Sequence, residues 1–180
     1  MKESPTAASR SIRVPASTLG SIREIVEERC DPATAVLALQ AAGYRAGESM
    51  YPDFERAMGR DPAAMGRRAF FRSLSDFLTS RGWGSIRLEE PHTGVGLLVS
   101  NDWAEASDGG EPQPSCAFSA GLLAGLLTAA AAAPVAVLQV TCRSCGDESC
   151  GFAFGSGDTV SRLYGELVEG QAMDSALAAL

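Results

Sequence analysis

The chain has 180 residues, enough for one domain with a substantial core, and its 22 acidic against 15 basic side chains give a formal charge of -7. That balance argues against a surface for nucleic acid, because phosphate binding rests on clustered Lys and Arg. The only basic concentration, Arg67, Arg68, Arg72 and Arg81, is spread along one predicted helix and reads as a solvated face.

The opening Met1-Lys2-Glu3-Ser4-Pro5-Thr6 has no apolar run of the kind a secretory signal needs, so a reducing, cytoplasmic setting is expected. Residues 1–14 are polar and mixed and read as a flexible N-terminal arm; residues 15–180 read as a single domain. From Pro15 the spacing of Leu19, Ile22, Ile25 and Val26 is helical, ending near Cys30. Asp31-Pro32 then gives an N-cap and first helical position for a second helix running to Gly43. Tyr44 to Gly59 reads as a further helix with Pro52 near its start. Asp61-Pro62 repeats the start signal and opens what should be the longest helix, with Phe70, Phe71, Leu74, Phe77 and Leu78 as its apolar stripe and Gly82 as its stop.

The period then changes. Residues 85–90 and 94–100 read as antiparallel strands joined near Pro91-His92-Thr93, and residues 104–114 as a loop. Ser115 is the expected cap of a helix over 116–133, whose Gly and Ala content permits close approach by neighbours. The apolar run 117–138 is diluted by Ser119, Gly121, Gly125, Thr128 and Pro134 and has no basic flank. It reads as a buried helix and a buried strand, with no membrane partner. Strands over 135–142 and 150–154, then a last helix carrying Val160, Leu163, Tyr164 and Leu167, complete the order. The class this implies is α+β: an antiparallel sheet of about four strands covered by helices, on one face.

Four of the five cysteines gather around one stretch. Cys142 and Cys145 stand at C-x2-C spacing, Cys150 follows a turn containing Gly146, and Cys116 lies at the start of the apolar helix. In a reducing setting such a cluster binds a metal more often than it forms bridges, and thiolates suit zinc; free structural thiols are the alternative. Cys30 stands alone and reads as a small buried hydrophobe.

The run from Asn101-Asp102-Trp103-Ala104-Glu105, through Pro114-Ser115-Cys116-Ala117-Phe118-Ser119-Ala120-Gly121, to Cys142-Arg143-Ser144-Cys145-Gly146-Asp147-Glu148-Ser149-Cys150-Gly151-Phe152 resembles the 4-vinyl reductase domain family. That family includes the aromatic-sensing domains of phenol- and xylene-responsive bacterial regulators and a protein linked to bacteriochlorophyll synthesis. The resemblance covers residues 95–155, and the preceding helices fit its layout more loosely. It implies the fold of the small subunits of the TRAPP vesicle-tethering complex, a homodimer, and in the sensors a zinc held by three cysteines and a glutamate. The matching cysteines are Cys116, Cys142 and Cys150, and Gln139 stands where the sensors have the glutamate. A neutral amide is a poor zinc ligand. Cys145 is therefore the candidate to complete a structural zinc site of Cys116, Cys142, Cys145 and Cys150; otherwise it fills space while water or Gln139 closes the sphere.

The resemblance also implies a mainly apolar pocket for a hydrophobic or aromatic small molecule, for which Trp103, Phe118, Phe70, Phe71 and Tyr51 are the candidate lining residues. His92, the only histidine, lies at an expected strand turn and reads as an exposed turn residue. No G-x-G-x-x-G follows a strand and no nucleophile pairs with histidine. A stand-alone, sensor-like binding domain is thus preferred over an enzyme or accessory factor in tetrapyrrole vinyl reduction, and over a ligand-free TRAPP-like dimerisation scaffold. Any output of such a domain runs through a protein partner.

Overall fold

The computed structural model describes residues 12–107 and 109–180, so most of the expected arm over 1–14 lies outside the described residues. Helix α1 spans Ser17–Glu27, and α2 spans Pro32–Met58. Asp31 caps α2 as its sequence position predicts, accepting from the Thr34 N–H at 3.0 Å and the Thr34 hydroxyl at 2.6 Å.

Two helix boundaries differ from expectation. Helix α2 is one 27-residue element that runs through Gly43, Tyr44 and Pro52. Gly43 and Gly47 do not stop it, because they are where it meets helix α4 (Ala117–Ala131): a Cβ at Gly43 would stand 1.9 Å from the Phe118 carbonyl oxygen. Pro52 removes one backbone donor, but it and Glu48, four residues before it, lie on the exposed side of the helix. Asp61-Pro62 opens only a one-turn 3₁₀ helix, Pro62–Ala64. Gly66, with extended φ -66° and ψ 146°, separates it from α3, which spans Arg67–Ser80 and is about half as long as α2. Gly82, at φ 84°, follows its end.

Strands β1 (Arg87–His92), β2 (Val95–Ser100), β3 (Ala136–Thr141) and β4 (Cys150–Gly155) form one antiparallel sheet in the order β1-β2-β4-β3. The class is α+β, as the order of elements predicts. Pro91 falls where the β1–β2 register shifts between Glu89 and His92, on an edge strand that tolerates its missing donor.

Helices cover both faces of the sheet, not one. Leu88, Leu98, Phe152, Phe154 and Val137 share the face that packs with α2, α3 and α4. Val95, Leu97, Ala153, Leu138 and Val140 form the other, against α5 (Gly157–Val168) and a short α6 (Met173–Ala178) that has no counterpart among the expected elements. The reason is visible along β2, where Val95, Leu97 and Val99 on one face and Leu98 on the other are apolar and all six residues are at least half-buried.

The α2–α4 contact organises the larger core. Gly43 and Gly47 on α2 face Gly121 and Gly125 on α4, and a Cβ at any of the four would lie 1.9–2.1 Å from a carbonyl oxygen of the opposite helix. The two backbones therefore touch directly, and α4 is fixed along its middle without long side chains between the axes.

Candidate metal centre and ligand cavities

The site is built where the start of α4, the end of β3 and the start of β4 converge. Cys116 is the residue before α4, Cys142 follows β3, and Cys150 opens β4, paired in register with Ser100 of β2. All three side chains are buried, and their Sγ atoms lie within 4.8 Å of one another. The Cys116 and Cys142 sulfurs are 3.9 Å apart. A tetrahedral zinc with sulfur at about 2.3 Å sets ligand sulfurs about 3.8 Å apart, so the trio fits a thiophilic ion.

The electrostatics of the trio lead to the same chemistry. Hydrogen bonds from the Cys116 and Cys150 thiols hold the Cys142 thiol far below its ordinary range. The Cys116 thiol is driven far upward by its bond to Cys142, then by Cys150 and by burial. For Cys150 the bond with Cys116 acts downward, but Cys142 and burial outweigh it and the net direction is up. Three buried thiols this close together are a set of sulfur ligands from which a divalent cation would displace the protons.

Backbone and hydroxyl contacts hold this geometry. Asp147 Oδ2 accepts from the Cys142 N–H at 2.7 Å, and the 3₁₀ turn Arg143–Cys145 closes with the Cys145 N–H on the Cys142 carbonyl at 2.9 Å. Gly146, at φ 95°, supplies the left-handed residue the turn requires. Cys145 lies outside the buried trio, exposed on this turn; partial desolvation and then the Cys142 charge push its thiol upward. Gln139 ties two elements together: its Oε1 accepts from the Cys116 N–H at 3.0 Å and its Nε2 donates to the Thr141 carbonyl at 3.2 Å.

Ser115 is not the cap of α4. Its hydroxyl donates to Ser144 Oγ at 2.8 Å and lies 3.8 Å from Cys142 Sγ. The cap is Glu105, whose Oε1 accepts from the Phe118 N–H at 3.2 Å and Oε2 from the Ser119 N–H at 2.7 Å. A carboxylate at a helix start is favoured by the backbone donors and the dipole, yet burial dominates here and raises the Glu105 pKa against those bonds. Nothing local could have identified it, because it reaches α4 from 13 positions upstream of Phe118.

The Asn101-Asp102-Trp103 element serves the same junction. Asp102 Oδ1 accepts from the Ser85 N–H and hydroxyl, each at 2.9 Å, and from Ser100 Oγ at 3.1 Å. Trp103 is 1% exposed, packs edge-on against Phe152 with centroids 5.6 Å apart, and donates its indole N–H to Ser119 Oγ at 2.7 Å. Tyr51 packs against Phe54. Phe70 and Phe71 line a cavity of about 280 Å³ with Pro62, Met65, Leu127 and Phe154, while Phe118 lines a separate cleft. His92 is half-buried and its Nδ1 accepts from the Gly94 N–H at 3.1 Å, while Cys30 is half-buried and apart from the other thiols.

Residues 101–156, which hold the three buried cysteines and Gln139, match the family model of the 4-vinyl reductase domain. No curated protein matches the chain. Among solved structures, the phenol-responsive sensory domain of the transcription activator PoxR, with phenol, has a TM-score of 0.67 at 14% identity, covering 91% of this chain and 85% of that one. Trafficking protein particle complex subunit 3 from Naegleria fowleri, covalently bound to palmitic acid, has a TM-score of 0.66 at 15% identity, covering 78% and 91%. A vinyl-4-reductase family protein from Methanocaldococcus jannaschii has a TM-score of 0.54 at 17% identity, covering 81% and 83%. The chain thus carries a 4-vinyl reductase domain match over residues 101–156 within a TRAPP-like α+β fold.

Proposed function

We propose that the chain is a sensor-like domain that binds a hydrophobic or aromatic small molecule and is braced by a structural zinc. The observation that carries the ligand reading is the cavity of about 280 Å³ between α3, the C-terminal end of α4 and β4, lined by Phe70, Phe71, Leu127, Val135 and Phe154. Its walls are almost wholly apolar, and its size is near the lower end for small-molecule sites, which suits a single ring. The guanidinium of Arg67 borders it and is engaged by Glu90. The fold shared with the phenol-responsive domain supports the same reading.

The zinc is held by Cys116, Cys142 and Cys150, with Cys145 swinging in from its exposed turn as the fourth ligand; Gln139 orients Cys116 through its backbone. Such an ion would act as a staple between α4 and the ends of β3 and β4, with no chemistry of its own. Exposed Ile22 and Ile25 on α1 and Val36 and Leu37 on α2 support pairing of two copies. The setting is cytoplasmic, and output passes to a protein partner.

Native mass spectrometry of protein purified without added metal, with phenol then added, tests all three parts. The expected species is a dimer with one zinc per chain that takes up phenol, loses zinc in Cys116→Ser and loses phenol in the cavity-filling Phe70→Trp. Metal-free protein with freely reacting thiols would overturn the zinc reading, and phenol uptake by Phe70→Trp equal to wild type would overturn the cavity.

A further inference from the structure

A second cavity, of about 540 Å³, opens between the end of α3 and the chain leading into α1, with Arg13, Leu19, Arg81, Trp83, Ala104 and Phe118 among its lining residues. Two half-buried rings form part of its wall: Trp83 and Phe118 lie 6° from parallel with centroids 6.1 Å apart. The two rings stack on each other, and Trp103 stands 6.0 Å from Trp83, so the pair is a braced aromatic wall against which a planar ligand can pack.

The charge of the cleft is opposite to that of the chain. Acidic side chains outnumber basic ones 22 to 15 overall, yet the cleft is lined by two arginines and no acid. In the groove between α3 and β1, by contrast, Arg68, Arg72 and Arg87 stand beside Asp76 and Glu90. Arg81 is held in place, its guanidinium 3.6 Å above the Phe77 ring and 3.9 Å from Asp53. Arg13 is exposed and makes no ion pair among the described residues. The two tryptophans differ in the same way. Trp103 spends its indole N–H on Ser119, whereas that of Trp83 has no hydrogen-bond partner among the described residues. An aromatic wall, two guanidinium groups and an uncommitted indole donor together fit a ring that carries an anionic acceptor.

We propose that this cleft binds a planar aromatic anion of the aromatic carboxylate class, with the ring against Trp83 and Phe118 and the carboxylate toward Arg13 and Arg81. The site is distinct from the Phe70–Phe71 cavity and takes a different ligand. Its occupant would press on Phe118, in the first turn of α4 and two residues beyond Cys116, so it would touch the element that positions the thiol cluster.

Calorimetric titration of the full chain with 2-naphthoate, and in parallel with the uncharged 2-naphthamide, tests the assignment. Naphthoate is expected to bind one per chain and naphthamide at least tenfold more weakly. Arg13→Gln combined with Arg81→Gln should weaken naphthoate by about tenfold and leave naphthamide unchanged, the loss expected for a charge-assisted contact. Arg13→Gln alone, at an exposed position away from the core, should give part of that loss with no change in the unfolding midpoint. Absence of naphthoate binding, equal affinity for the two probes, or an Arg13→Gln variant that binds naphthoate as wild type does would overturn the proposal. So would loss of naphthoate binding in Phe70→Trp, which would place the anion in the other cavity.

Discussion

The first turn of α4 and the middle of the same helix are held by opposite means. At the first turn every restraint is a side chain brought from elsewhere: Glu105 on two backbone donors, Gln139 on the Cys116 N–H, Trp103 on Ser119. In the middle the restraint is the absence of side chains, with four glycines bringing the α2 and α4 backbones into contact. A polar junction of the first kind tolerates loss of one member, because the rest still locate the helix. A backbone contact of the second kind has no slack, since each added methyl meets a carbonyl that belongs to a rigid helix.

The largest expected effect therefore comes from the glycines. Gly47→Ala and Gly121→Ala each place a Cβ about 2 Å from a carbonyl oxygen, of Leu122 and Gln40 respectively, and force the helices apart. Each should cost more than about 3 kcal/mol, a large fraction of a typical domain's stability. The control is Gly165→Ala in α5, where no atom lies within 4 Å of the added carbon and the change should stabilise by about 0.5–1 kcal/mol. Urea unfolding of the three variants measures the contrast; Gly47→Ala and Gly121→Ala with wild-type midpoints would refute the backbone contact.

The polar junction gives a smaller, pH-dependent effect whose sign separates burial from capping. Burial is the leading cause of the raised Glu105 pKa, with the Ser119 and Phe118 donors and Arg23 opposing it. The native state then holds the Glu105 proton to higher pH than the unfolded chain does. This contribution is fully present below the ordinary glutamate value of 4.5 and is lost as pH rises through the raised native value. Glu105→Gln removes that slope, so its stability relative to wild type should improve from pH 4.5 toward neutrality. Denaturant unfolding across that range reads the difference. A variant that worsens relative to wild type as pH rises would show that the charge–dipole interaction at the first turn outweighs desolvation.

How much of this was legible in the sequence follows from the same contrast. The Asp31 cap, the β1–β2 hairpin and the gathering of Cys116, Cys142 and Cys150 were readable because each leaves a local or motif-level trace. The continuity of α2 was not: Gly43 looks the same as a stop signal and as a contact, and only the position of α4 decides between them. The Glu105 cap was hidden by its distance along the chain, and Ser115, the expected cap, stands one residue before the N-cap position and is turned to Ser144 instead. The spacing of Cys142 and Cys145 was visible, but spacing does not say which thiol a 3₁₀ turn buries; here it buries Cys142 and exposes Cys145. Helix α6 is six residues long, too short for a reliable period.

The end of α4 offers the finest test, because neither means of restraint explains it. The helix exits through Ala132 at φ 49°, the one non-glycine residue with positive φ among those described. An alanine there sets Cβ against the following carbonyl oxygen, at a cost of about 1–2 kcal/mol. The chain is turned back by Thr128, whose Oγ1 accepts from the Val135 N–H at 3.0 Å, so the left-handed residue is imposed by the short link to β3. Ala132 is exposed and its methyl contributes little packing. Ala132→Gly should therefore stabilise the fold, by about 0.5–1 kcal/mol once the added freedom of the unfolded glycine is subtracted. Thermal and urea unfolding would register it as a small upward shift at unchanged denaturant slope. A destabilised Ala132→Gly would mean that helix propensity at the last turn of α4, and not the backbone conformation of its exit, limits this end of the helix.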